Sequence, residues 1–270
     1  MSGRLYLHGY SEKEQQRLIK QARFMEELVY SDIDLSSVNK LLEIGSGVGA
    51  QTAILLERFP PLYITGIDSS PTQLSVANYY LSRQTEFNHR FKFQQMNAED
   101  LDFEKDIFDG VFLCWILEHV NHPALVLKEA LRVLKKRGVL IASEVFNATF
   151  YTYPEKPHVE NFWKQYNLFQ QKAGGDPNIG AKLGNLLTSS GFKNIETRVK
   201  SFHADNRNPL KKRDTINYWT QLLLSAGPNL IKEGSLNQEQ LEAMKKEFEE
   251  IADDPEGVFF CSFMQAIAYK

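Results

Sequence analysis

The run Leu41-Leu42-Glu43-Ile44-Gly45-Ser46-Gly47-Val48-Gly49 constrains this chain more than any other. An apolar strand runs into three glycines at alternate positions, and a helical segment follows from Ala50 to Arg58. Strand, glycine turn and helix in that order make a nucleotide-binding element, because only glycine lets a ligand lie against the backbone. In the dinucleotide fingerprint the third glycine comes three positions after the second. Here it comes two after, at Gly49, and an acid, Glu43, stands two before the first. Glycine turns also follow strands where no ligand binds, so the flanking chain has to decide.

Tyr63-Ile64-Thr65-Gly66-Ile67-Asp68 is a second apolar strand ending in an acid. An acid placed there can accept hydrogen bonds from both hydroxyls of a ribose. It can equally cap the next helix, since Ser69-Ser70-Pro71 reads as a helix start. Phe91 to Gln95 gives a third strand, and the turn Asn97-Ala98-Glu99 follows it. Phe108 to Leu113 is a fourth strand, running into Cys114-Trp115 and then Glu118-His119. The pattern then predicts a helix from Pro123 to Lys136, with Val126, Ala130, Val133 and Leu134 at helical spacing and Gly138 placed to stop it. A fifth strand, Gly138 to Val145, completes the set.

The E-x-G-x-G-x-G pattern of Glu43 to Gly49, with the order and spacing of these five pieces, resembles the class I S-adenosylmethionine-dependent methyltransferases of the small-molecule type. The specific motifs span residues 40–146. The resemblance implies an α/β fold: a Rossmann-like, doubly wound sheet of seven strands, the last antiparallel, with a helical cap. It implies S-adenosylmethionine as cofactor, S-adenosylhomocysteine as product, and no metal. The cofactor's amino-acid end then belongs at Gly45, Ser46, Gly47 and Gly49, and its adenosine end at Asp68 and the Asn97-Ala98-Glu99 turn. Tyr10, Glu43, Ser69, Gln73, Cys114 and Trp115 complete the expected cofactor set. Asn97 departs from the family's commoner Asp, but its amide can donate and accept hydrogen bonds.

The sulfonium methyl of such a cofactor is already activated, so the protein's task is alignment. An acceptor hydroxyl must also lose a proton, and histidine is the usual carrier near neutral pH. His119, just past the fourth strand, is the candidate base; it reads alternatively as a residue packing its own loop. His158 and Glu144 are further candidates. The reading is methyl transfer to a small-molecule acceptor, at a hydroxyl oxygen. Its alternatives are a cofactor-binding protein of this fold without turnover and a nicotinamide-dependent oxidoreductase, the latter disfavoured by the glycine spacing.

Composition sets limits on partners. A net charge of −3 gives no reason to expect nucleic acid. No stretch approaches the roughly 18 apolar residues of a membrane span, and the N-terminus lacks the regions of a signal peptide. Cys114 and Cys261 lie in apolar runs without metal-ligand spacing and read as reduced packing residues, so the expected compartment is the cytoplasm. Lys135-Lys136-Arg137 reads as a helix C-terminus and Lys211-Lys212-Arg213 as a solvated loop.

Residues 1–35 are expected to form an N-terminal helical segment over the cofactor site, with a helix over 11–30 striped by Leu18, Ala22, Met25 and Val29. In an extended segment Tyr6, His8 and Tyr10 share a face; they close over the cofactor or pack as a terminal strip. Residues 36–200 form the core. After the fifth strand its regularity weakens through an aromatic stretch that includes Trp163, and a helix over 176–190 leads into a sixth strand, 192–200. Residues 201–256 interrupt the core as a helical insertion, with helices over 215–226 and 235–252, the latter opened by a Ser235/Gln238 capping box. Residues 257–270 return as the final strand. The insertion is expected to act as a lid over the acceptor; the competing reading makes it the interface of a homodimer.

Overall fold

The computed structural model describes residues 11–270. Tyr6, His8 and the expected cofactor residue Tyr10 lie outside the described residues. Helix α1 (Glu12–Tyr30) leads to β1 (Lys40–Ile44), α2 (Ala50–Arg58), β2 (Tyr63–Asp68), α3 (Pro71–Ser82), β3 (Phe91–Gln95), β4 (Phe108–Cys114), α4 (Pro123–Val133) and β5 (Leu134–Tyr153). Then come α5 (Pro157–Lys172), α6 (Leu183–Ser190), β6 (Lys193–Ala204), α7 (Pro209–Lys232), α8 (Gln238–Asp253) and β7 (Val258–Tyr269). No helix among the described residues is long and apolar enough to cross a membrane.

The strands form a seven-stranded sheet in the order β3-β2-β1-β4-β5-β7-β6. β1 pairs in parallel with β2 and β4, and β2 with β3, as strands joined through helices must. β7 runs antiparallel to β5. At one end Lys270 N–H donates to Gly138 O (3.1 Å) and Arg137 N–H to Lys270 O (3.3 Å); towards the other, Ser262 N–H donates to the Thr149 hydroxyl (2.9 Å).

The chain divides into two compact units. The core unit holds residues 15–145, 178–200 and 263–270. Leu42, Ile44, Val111, Leu113, Leu140 and Ala142 of its inner strands share one buried cluster with Val126 and Ala130 of α4 and Leu183 and Leu187 of α6. The second unit holds 146–177 and 201–262 with the first residues of α1. Its centre is aromatic. Phe150 stacks on Trp163 at 4.4 Å and Trp163 on Tyr166 at 5.1 Å, while Trp219 meets Phe259 at 5.2 Å.

Several boundaries differ from the sequence expectation. Helix α4 ends at Val133, not Lys136, because Asp106 and Ile107 N–H groups take the carbonyls of Arg132 and Val133 (3.1 and 2.9 Å) and draw the chain into the sheet. Lys135-Lys136-Arg137 is therefore no helix terminus but part of an irregularity in β5, where Phe108 faces Leu134 and Gly110 already faces Val139. Gly138 is needed there by close backbone approach: a Cβ would come 2.9 Å from Lys135 O. β5 continues to Tyr153, through residues read as irregular. Lys211-Lys212-Arg213 is not a loop but the first turn of α7. Lys212 is buried and its Nζ donates to Asp254 O (2.5 Å), at the C-terminal end of α8. The capping box of α8 is built by Asn237 and Gln240, not by Ser235 and Gln238.

Candidate cofactor site

From β1 the chain steps to β2 and β3 on one side, and β4 comes back on the other. The C-terminal ends of β1 and β4 therefore bound the switch-point crevice in which open α/β sheets bind ligands. The glycine turn fills the β1 side. Gly45 and Ser46 N–H groups both donate to Ile67 O (2.9 Å each), locking the turn onto β2. Gly45 (φ +77°) and Gly47 (φ +51°) take left-handed conformations that a side chain would strain. Their surroundings differ. A Cβ on Gly45 would lie 2.8 Å from Ile116 Cδ1, and one on Gly49 2.8 Å from Leu81 Cδ1; one on Gly47 would meet nothing within 4 Å. Open space lies above Gly47 alone of the three. Beside it the Ser46 hydroxyl is buried without a hydrogen-bond partner among the described residues. Gly49 opens α2 with no side-chain cap, which leaves N–H groups of the first turn without side-chain acceptors.

Asp68 ends β2. Its Oδ2 accepts from Gly47 N–H (3.0 Å) and its Oδ1 from Ser70 N–H (2.8 Å), so each oxygen keeps lone-pair capacity for a further donor. The helix cap is Ser70, whose hydroxyl accepts from Gln73 N–H (3.3 Å), so capping α3 does not fall to Asp68. Burial raises the Asp68 carboxyl above its ordinary pKa, against the N–H donors that lower it. Ser69 O accepts from the Gln95 amide (3.2 Å), and the buried Gln73 takes the Gln15 amide on its own carbonyl oxygen (3.3 Å).

The turn after β3 is tied to the same corner, since Met96 N–H donates to Asp68 O (3.0 Å). Asn97 Oδ1 accepts from Glu99 N–H (3.0 Å), which shapes the turn that carries Ala98. Glu99 accepts from His122 N–H (3.3 Å). The structure therefore brings Gly45–Gly49, Asp68–Gln73 and Asn97–Glu99 to adjoining strand ends.

Glu43 lies beneath the turn and is buried; its Oε2 accepts from the Thr52 hydroxyl (2.5 Å), and burial pushes its pKa up to about 8. This acid braces β1 against α2. Cys114 closes β4, and burial raises its thiol pKa well above the ordinary value. Trp115 follows with φ +57°, a left-handed backbone that is rare for a bulky residue, its ring edge-on to Phe263 at 6.0 Å. His119 ends the short turn Leu117–His119, with Nε2 3.6 Å from Glu118 Oε1. His158 sits in the first turn of α5, in the second unit, and its N–H donates to Glu247 (2.8 Å). Glu144 is committed to backbone groups: Oε1 accepts from Ile116 and Leu117 N–H (3.1 and 2.8 Å) and Oε2 from Glu118 N–H (3.3 Å). Sequence reasoning missed this use of Glu144, and missed Ile116 against Gly45. The only signal was an acid ending an apolar strand. Among the described residues no group of His, Cys, Asp and Glu could hold a metal ion.

An open left-handed glycine, an orphaned buried hydroxyl and an acid with spare lone pairs fit a ligand with a charged amino-acid end and a ribose. Comparison with known proteins agrees. Residues 42–142 match the methyltransferase-domain family. Methyltransferase str3 of Strobilurus tenacellus is 28% identical over 171 residues, covering 63% of this chain and 58% of that protein. Erythromycin 3''-O-methyltransferase of Saccharopolyspora erythraea is 31% identical over 111 residues, covering 41% of this chain and 36% of that protein. The chain thus spans little more than half of the first relative and about a third of the second. The structure of Haemonchus contortus phosphoethanolamine N-methyltransferase 2 in complex with S-adenosyl-L-methionine shares the fold, with a TM-score of 0.60 at 16% identity, over 99% of this chain and 60% of that one. Residues 42–142 thus match a methyltransferase domain, and the fold is one found in a methyltransferase that holds S-adenosyl-L-methionine.

Proposed function

We propose that the protein transfers the methyl group of S-adenosylmethionine to a hydroxyl oxygen of a small-molecule acceptor. The observation that carries this reading is the pairing of Gly47 and Asp68: a glycine N–H held by the acid, with clear space above the glycine. Gly47, Ser46 and the start of α2 would hold the amino-acid end of the cofactor. Asp68 would accept from the ribose hydroxyls, and the Asn97–Glu99 turn would border the adenine. The bound cofactor brings an activated methyl, and the residues of this chain orient it. His119 is proposed as the base that takes the acceptor proton. The buried Glu118, with Oε1 3.6 Å from His119 Nε2, would fix the ring. Oxygen as the methylated atom draws support from the O-methyltransferase among the relatives.

Acceptor choice is proposed to reside in the second unit. Apart from His119, the motifs of the core unit are assigned to the cofactor, and helices α7 and α8 of the second unit enter the chain between β6 and β7. The test is release of S-adenosylhomocysteine during incubation with a panel of hydroxylated aromatic and aliphatic compounds. Methylated product identified by mass spectrometry at oxygen is expected, and His119→Ala is expected to lower kcat by about 100-fold or more. Cofactor binding with no turnover on any acceptor would favour a binding protein. Methylation at nitrogen or carbon would correct the acceptor class.

A further inference from the structure

The backbone just after β4 takes an uncommon path, and one side chain holds it. Cys114 is in register with Ser143, and Trp115 N–H donates to Ser143 O (2.9 Å), where the regular pairing of β4 with β5 ends. Trp115 then turns left-handed, and the next three N–H groups point the same way. All three end on the fully buried carboxylate of Glu144, two on Oε1 and one on Oε2. The Leu117–His119 turn has no side-chain cap from its own N-cap residue, Ile116. Glu144, reaching over from the adjacent strand, fills that role. The held turn places Ile116 against Gly45, close enough that a single added carbon on that glycine would collide with it. Ile116 is thus the wall behind the left-handed glycine that starts the turn.

We infer that Glu144 is a positioning residue: it splints residues 115–118 and, through Ile116, sets the Gly45–Gly47 cradle for the cofactor. This inference rests on the cofactor reading above. It assigns Glu144 no proton to move. With three N–H donors on its two oxygens, the carboxylate is engaged by the backbone, not by an acceptor.

The test is calorimetric titration of S-adenosylhomocysteine into the full chain and its variants. Glu144→Gln keeps the two bonds to Oε1 but sets an NH2 group against Glu118 N–H. Affinity is expected to fall about tenfold, as for a buried donor left without its acceptor. Ile116→Ala is expected to reproduce that fall, because it removes the wall without touching the carboxylate. The double variant should bind no more weakly than the weaker single one, since residues acting through one element are not additive. A merely structural role would instead give additive losses. Parental affinity in Glu144→Gln, or additivity with Ile116→Ala, overturns the inference while leaving the cofactor reading intact. If Glu144→Gln does not fold, Ile116→Ala decides: a matching loss supports the inference and parental affinity overturns it. A parent that does not bind S-adenosylhomocysteine removes the cofactor reading and this inference together.

Discussion

At the scale of residues, the strand ends of the core unit concentrate acids with different tasks. Glu43 braces β1 against α2, Asp68 faces the open glycine, and Glu144 splints the turn after β4. Glu43 carries a pH signature. Its folded pKa is about 8, raised by burial from an ordinary 4.5, so the folded state holds a proton that the unfolded state releases. The stability this contributes is complete below pH 4.5 and is lost as pH rises through 8. Between those limits a carboxyl of this kind costs roughly 1 kcal/mol per pH unit. Glu43→Gln keeps an acceptor for the Thr52 hydroxyl and has no proton to lose. Urea denaturation from pH 5 to 8.5 should show a flatter stability profile for this variant than for the parent. Equal slopes would show that Glu43 does not titrate in this range.

At the scale of elements, stability depends on caps contributed from other parts of the chain. Helix α5 begins at Pro157 without a side-chain cap of its own. Glu247 of α8 serves instead: its Oε2 accepts from His158 and Val159 N–H (2.8 and 2.9 Å), while Lys156 reaches Glu250 (2.6 Å). Both carboxylates complement the positive end of a helix. Glu247→Ala should lower stability by about 1–2 kcal/mol, the cost of a lost cap, and leave S-adenosylhomocysteine affinity unchanged. A loss of cofactor affinity would contradict assigning Glu247 to the second unit alone. Such caps are also what the sequence conceals. The strands β1, β2, β4 and β7 were legible, because their apolar runs and bounding turns are local. The end of α4 was not, since it depends on Asp106 and Ile107 from far upstream. Nor was the length of α7. The helix expected over 215–226 runs on through Gly227-Pro228 to Lys232, with Gly227 packed on Leu241 of α8 and Leu230 buried beyond it. Packing there outweighs the hydrogen bond that a proline removes.

At the scale of the whole molecule, the centre of the core unit was written in local motifs and that of the second unit was not. Gly45, Gly47 and Asp68 are recognisable because a turn and a strand end demand particular residue types. The second unit is assembled from distant pieces, 146–177 and 201–262, whose aromatic residues meet only in three dimensions. Trp219 contacts Trp163 at 5.9 Å and Phe259 at 5.2 Å, so excising residues 203–255 would strip the centre of that unit. Point substitutions are therefore the proper probes of acceptor choice. The central claim, however, rests on the core unit. It is tested most directly by titrating S-adenosylhomocysteine into the parent, Asp68→Ala and Gly47→Val by calorimetry. Micromolar binding by the parent is expected, about −8 kcal/mol, weakened by about 1.5–3 kcal/mol in Asp68→Ala and abolished in the folded Gly47→Val protein. No heat with the parent, or parental affinity in both variants, would contradict it.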